Sequence, residues 1–348
     1  MQVKNTSRWT NAGYQLISIA AALIFTTIVL LLSGAPPLKA YQELIYGSVG
    51  SMVNFSDVLV AWAPLIVTTA GLLVTFSAGL WNIGIEGQII LGAIFTTGAL
   101  RMLQDSSLPA GLIIALGILA GILGGILWAA LVGALKTFGG VNEIFGGLGL
   151  NFIANALILW LIYGPWRRPG VASLSGTVAF PAKLSLPTLP KLSISPLALI
   201  LGILSVVLIY ILLRNTHIGL RLKAIGKNIH SSFTLGIPTW QYMMLSFIIC
   251  GAFAGLTGAL QVTGVYHRLL PYITGGYGFL GLLVAMLVNY QAIWVAPIAL
   301  FYAGLNIGSV QLPITLQLDS SLSGVLQGTL VLFVLLGEGI RQRFTRKA

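Results

Sequence analysis

Seven acidic residues, three histidines and one cysteine are the groups in this 348-residue chain best suited to bind a metal, relay a proton or attack a substrate. Their spacing builds none of those sites. His217, His230 and His267 fall in loops, without the i, i+4 partner or neighbouring carboxylates of a metal site. Cys250 stands alone in the apolar run LSFIICGAFAGL, so neither an internal disulfide nor a cysteine cluster can form. A phosphate-cradling loop needs a glycine five residues before its Gly-Lys pair and a Ser or Thr after it. Gly226-Lys227 has Arg221 and Asn228 at those places. No nucleophile has a base and an orienting partner in the pattern, so no catalytic residue, metal or cofactor is assigned and the chain does not read as an enzyme.

On a ten-span topology with an inner N-terminus, Glu43, Asp57, Asp105 and Asp319 fall in or beside outer loops, and Glu86, Glu143 and Glu338 at the inner ends of helices. An ion-driven transporter carries ionisable groups at mid-membrane, where they are costly and kept for function. None stands there in this reading, so energy for any transport must come from another subunit. Amides are more informative. Asn82, Asn151 and Asn155 lie inside apolar segments, where an unpaired amide is expensive, so each must face another helix or a water-filled path. Both roles remain open for each.

The elements that position these residues follow from composition. With 57% hydrophobic and only 7% charged residues, against about 25% charged in soluble proteins, the chain cannot build a water-facing surface. Apolar runs of spanning length predict an all-α, polytopic transmembrane bundle of ten helices: 14–33, 58–77, 85–104, 109–135, 142–164, 195–213, 241–263, 275–290, 292–310 and 324–340. The 42 glycines, as in GILAGILGG and CGAFAGLTGA, mark faces where helices approach closely in lipid. Placing both termini inside puts 11 of the 18 Lys and Arg on the inner face, including the tail RQRFTRK, as cytoplasmic loops and tails prefer. The net charge of +11 thus needs no nucleic-acid partner.

The chain reads as one membrane domain, 1–348, with two notable loops. The Pro- and Ser-rich segment 166–195 is placed outside, and 214–240 inside, where Asn228 to Leu235 can form a short amphipathic helix. A weak echo between FGGVNEIFGGLGLNFIANALILWL and ITGGYGFLGLLVAMLVNYQAIWVA points to internal duplication, a common transporter feature.

Five segments carry a family resemblance: FSAGLWNIGIEGQIILGA from Phe76, GGVNEIFGGLGLNFIANALI from Gly139, GPWRRPG from Gly164, THIGLRLKAIGKNIHSSFTLGI from Thr216, and GGYGFLGLLVAML with the later VLQGTLVLF. Together they resemble the permease subunits of ATP-binding-cassette importers of the branched-chain amino acid and ribose type, in particular the longer permease of nucleoside and simple-sugar systems. Leu280 and Lys227 depart from that pattern, standing where acids are frequent. The resemblance implies a cytoplasmic ATP-binding subunit, a second and shorter permease or a second copy of this chain, and an external substrate-binding protein, assembled in the cytoplasmic membrane. It also implies that 214–240 couples to the ATPase, with Arg221, Gly226, Asn228 and Gly236 at family positions and Ile229, Phe233 and Leu235 supplying the docking contact. For the pathway, the junction from Asn82 to Glu86 is the leading candidate, with Asn151 and Asn155. A neutral nucleoside or sugar suits a path lined by amides and aromatics better than a zwitterionic amino acid does.

Overall fold

The computed structural model describes residues 8–170, 175–288 and 291–317, with 324–325, 328–329, 332–333 and 336, and side chains from residue 20 onward. The helices are α1 (Arg8–Leu32), α2 (Pro37–Val49), α3 (Met52–Ser77), α4 (Ile85–Leu103), α5 (Ala110–Thr137), α6 (Glu143–Tyr163) and α7 (Pro196–Asn215). Then follow α8 (His217–Lys227), α9 (Ile229–Thr234), α10 (Thr239–Leu260), α11 (Tyr277–Leu287), α12 (Val295–Ser309) and α13 (Gln311–Leu316), with no strand among the described residues. They form two compact units, one from the residues up to Val58 and from Leu300 on, the other from Leu59 to Ala299.

In the first unit, the chain bends by 110° between residues 20–32 and 37–49. Pro37 opens α2 at a position where its missing N–H costs nothing. Leu30, Ala35, Ala40, Leu44 and Leu312 of α13 bury one another there. The sequence reading left 37–49 in an outer loop, because Lys39, Gln42 and Glu43 interrupt its apolar pattern.

In the second unit, α4 lies between α5, α6 and α10. Thirteen of its nineteen residues are buried, so protein rather than lipid encloses it. Glycines set how close the neighbours come: a Cβ on Gly92 of α4 would stand 2.5 Å from the Cα of Gly255 in α10, which no side chain permits. Thr68 of α3 and Thr257 of α10 join their hydroxyls at 2.9 Å. The end of α10 widens into a π-helical stretch, Gln261–Tyr266, and the described part of the Pro-rich loop latches onto it and the residues beyond. Leu186 N–H donates to Thr263 O at 2.9 Å, Phe180 N–H to His267 O at 2.8 Å, and Thr177 N–H to Leu269 O at 3.0 Å.

Among the described residues, six helical stretches are long and apolar enough to cross a membrane, or seven if the bent pair counts as one, against the ten spans expected for the whole chain. The expected span 85–104 is α4, whose Glu86, Gln88 and Arg101 lower its hydropathy. The expected span 275–290 contains only the eleven-residue α11, about 16 Å long and too short to cross alone. Of the expected last span, 324–340, only seven residues are described, and Asp319 and Glu338 lie outside the described residues.

Candidate functional site

Between α3 and α4 the helix breaks, as its sequence led us to expect, and Gly79 takes φ +72° to turn the chain. Asn82, fully buried in that break, exchanges two hydrogen bonds with Gln88, each 3.0 Å. Its Nδ2 also lies 3.1 Å from Cys250 Sγ on α10. This amide therefore ties the break to its surroundings.

Asn151 on α6 performs a related task. Its Nδ2 donates to Ile83 O at 2.9 Å, and its Oδ1 accepts the Gly87 N–H at 2.8 Å. Gly87 is the third residue of α4, so this N–H has no acceptor within its own helix. A side chain from another helix supplies the missing cap.

Glu86 repeats the device on α11. It accepts the Phe279 N–H at 3.1 Å, and Gly278 N–H and the Thr274 side chain also donate to it. Residues 278 and 279 are the second and third of α11, whose own N-cap is Gly276, without a side chain and at φ +74°. The helix N-terminus carries partial positive charge, which favours a carboxylate at that place.

These two helix beginnings open on one cavity of about 480 Å³. Glu86, Asn151 and Asn155 contribute polar groups to its wall, joined by Tyr272, Thr274 and Phe279. Asn155 Nδ2 donates to the Asn151 carbonyl at 2.9 Å, and the residue stands exposed at the wall. Of the four residues singled out for the pathway, three meet at this cavity. Asn82 stands behind them and is not in the wall.

Asn151 lies eight residues into the 21-residue α6, about 12 Å from its start. Glu86, whose neighbour Gly87 bonds to Asn151, thus lies against the middle of α6 and not at a helix end level with the start of α6. The break at 78–84 carries the start of α4 back into the protein, beside the middle of α6. Glu143 does begin α6, and its carboxylate pairs with Lys136 of α5 at 2.6 Å.

Sequence reasoning did not single out Tyr272, Thr274 or Phe279. The signal available was the glycine pair Gly275-Gly276, noted as part of an internal echo; both residues have positive φ and give α11 its abrupt start.

The coupling candidates separate into four groups. Asn228 caps α9 by accepting the Ser231 N–H at 3.0 Å, and Gly236, at φ +81°, ends the segment. Ile229, Phe233 and Leu235 form an exposed apolar edge, Phe233 at 68% and Leu235 at 80%. Arg221 stacks on Tyr242 of α10 and donates to its hydroxyl. Gly226 meets the break itself: a Cβ there would lie 2.3 Å from Ser77 O and 2.9 Å from Gly79 N. One end of α8 thus rests directly on the turn that leads to Asn82 and Glu86.

Comparison with known proteins adds a second line. The family described as "Branched-chain amino acid transport system / permease component" matches residues 54–335. The glucose ABC transporter permease protein TsgB13 of Haloferax volcanii is 28% identical over 95% of this chain and 88% of its own length. The guanosine ABC transporter permease protein NupP of Bacillus subtilis is 28% identical, over 94% and 93%. The nucleoside ABC transporter permease protein NupB of Lactococcus lactis subsp. cremoris is 27% identical, over 84% and 82%.

Proposed function

This chain belongs to the branched-chain amino acid transport system permease family, and from that premise we propose that it forms one half of the membrane pathway of an ATP-binding-cassette importer for a nucleoside or simple sugar. The observation that carries the substrate reading is the cavity at the middle of α6. Two helix N-termini open on it, as broken helices do about a transporter's midplane site, and here Asn151 and Glu86 already occupy the N–H groups of Gly87 and Phe279 that would otherwise meet an anion. Its wall offers the Asn151 and Asn155 amides, the Thr274 hydroxyl and the Glu86 carboxylate for hydroxyl and amide partners. Phe152, Tyr272 and Phe279 offer flat apolar faces to a ring. No lysine or arginine stands among these lining residues, so the carboxylate of an amino acid would find no cation there.

The energy source lies on a separate ATP-binding subunit. α9, with Ile229, Phe233 and Leu235 outward, docks in a groove of that subunit on the cytoplasmic face. Gly226, held against Gly79, passes its movement to the break and so to the cavity. A second permease completes the pathway, and an external binding protein delivers substrate to the face that carries 166–195. Rocking between inward- and outward-facing states then follows nucleotide-driven closure of the ATPase.

The test is uptake in cells lacking their own carriers, supplied with this chain and its genomic neighbours, using labelled guanosine, glucose and leucine. ATP-dependent uptake of guanosine or glucose, lost in Asn155→Leu, is the expected result. Uptake of leucine alone would overturn the substrate reading, and uptake driven by an ion gradient without ATP would overturn the class.

A further inference from the structure

A second cavity, of about 300 Å³, opens where the end of α7 meets α8 and the turn Ala292–Trp294. Its lining is cationic: Arg214 and Lys223 face it, with Tyr210 and Gln291 beside them and no acid in the wall. Among the described residues the ion pair is Lys136 with Glu143, so neither cation has a carboxylate partner there. Arg214 donates to the Tyr210 hydroxyl at 2.5 Å and lies 5.5 Å from the centre of that ring, which steadies the guanidinium without neutralising it. Lys223 donates to Leu213 O at 2.6 Å, near the end of α7. That bond uses one of the three protons on the ammonium.

The rim is apolar and faces outward. Only 22% of the α7 spanning window is buried, and Val207, Leu208 and Ile211 lead toward the cavity with their side chains exposed. Ile293, in the lining, is 65% exposed, and Trp294 beside it 55%. Tryptophan and tyrosine collect at the level of lipid headgroups, and basic pockets between spans on the cytoplasmic side hold anionic headgroups. We propose that this cavity binds an anionic phospholipid. Arg214 and Lys223 hold its phosphate, Tyr210 and Gln291 bond the headgroup, and the acyl chains lie along the exposed face of α7. A soluble organic phosphate shares the charge but has nothing to lay on Leu208 and Ile211. The assignment does not depend on which solute the protein carries.

The test uses the full-length chain, stripped of lipid in detergent, titrated with phosphatidylglycerol or phosphatidylcholine of the same acyl chains, and read by native mass spectrometry. Phosphatidylglycerol should be retained roughly tenfold better, and Arg214→Gln with Lys223→Gln should bring the two lipids to parity. Equal retention by the parent chain, or an undiminished preference in the double variant, would overturn the proposal. Should the double variant fail to fold, Ile293→Asp at the exposed mouth replaces it: a drop in preference of roughly threefold or more supports the site, and no drop counts against it. In a further arm, glycerol 3-phosphate displacing the lipid at equal concentration would assign the cavity to a soluble phosphate and remove the lipid.

Discussion

Glu86 on α4 accepts the main-chain N–H of Phe279 at 3.1 Å, so the one carboxylate in the wall of the central cavity also holds the first turn of α11. Cavity lining and architecture are thereby joined in a single side chain. Glu86→Ala removes the cap and should lower stability by about 1 kcal/mol, with loss of uptake. Glu86→Gln keeps an acceptor oxygen and should melt close to the parent. Thermal unfolding in detergent, read with uptake, separates the two effects; equal melting of all three proteins would rule out the capping role.

Asn151 and Asn155 both line the cavity, but they should respond differently to removal. Leucine at 151 strands the Gly87 N–H and the Ile83 carbonyl, groups that cost about 1–3 kcal/mol each when left buried and unpaired. Leucine at 155 strands no donor, because the amide removed is itself the donor, and it takes from the Asn151 carbonyl one side-chain partner. Asn151→Leu is therefore expected to reduce the amount of folded protein, and Asn155→Leu to reduce uptake from a normally folded one. Size-exclusion profiles beside uptake decide it.

At the exposed edge of α9, Phe233→Asp puts a charge where an apolar contact with the ATP-binding subunit is proposed. Substrate-stimulated uptake should be abolished while the protein still reaches the membrane at normal level. Unchanged uptake would remove α9 from the coupling interface.

Gly226→Ala tests the link between α8 and the break. The added methyl would lie 2.3 Å from Ser77 O, a distance no relaxed structure keeps, so α8 must move away from Gly79. Co-purification with the ATPase should persist while substrate no longer stimulates ATP hydrolysis. Normal stimulation would show that the movement passes elsewhere.

Much of this architecture could be read from residue order alone. The long apolar runs gave α5, α6, α7 and α10 to within a few residues and α3 from six residues late, and the junction at Asn82 fell between two expected spans. The short α9 followed from Asn228 and the apolar spacing after it. Depth could not be read. Glu86 looks like a surface residue at a helix start until Asn151, 65 positions away in sequence, shows where that start lies. The same reason hid Thr274 and Tyr272, whose part in the cavity depends on Gly275 and Gly276 turning α11 toward α4. For α2, a polar face with Lys39 and Glu43 masked a helix that packs through Ala40, Leu44 and Gly47, with Tyr41 beside them.

The Pro-rich loop is moored to the far end of α10 through peptide groups at Thr177, Phe180 and Leu186. Peptide groups are common to every residue except proline as donor, and beyond the Thr177 hydroxyl and the buried Phe180, Leu184 and Leu186 the mooring asks little of the side chains the loop exposes. Selection could rewrite the exposed positions one by one, and on the proposed reading refit the protein to a different external binding protein, while the helices beneath keep their packing and the break at Asn82 keeps its shape.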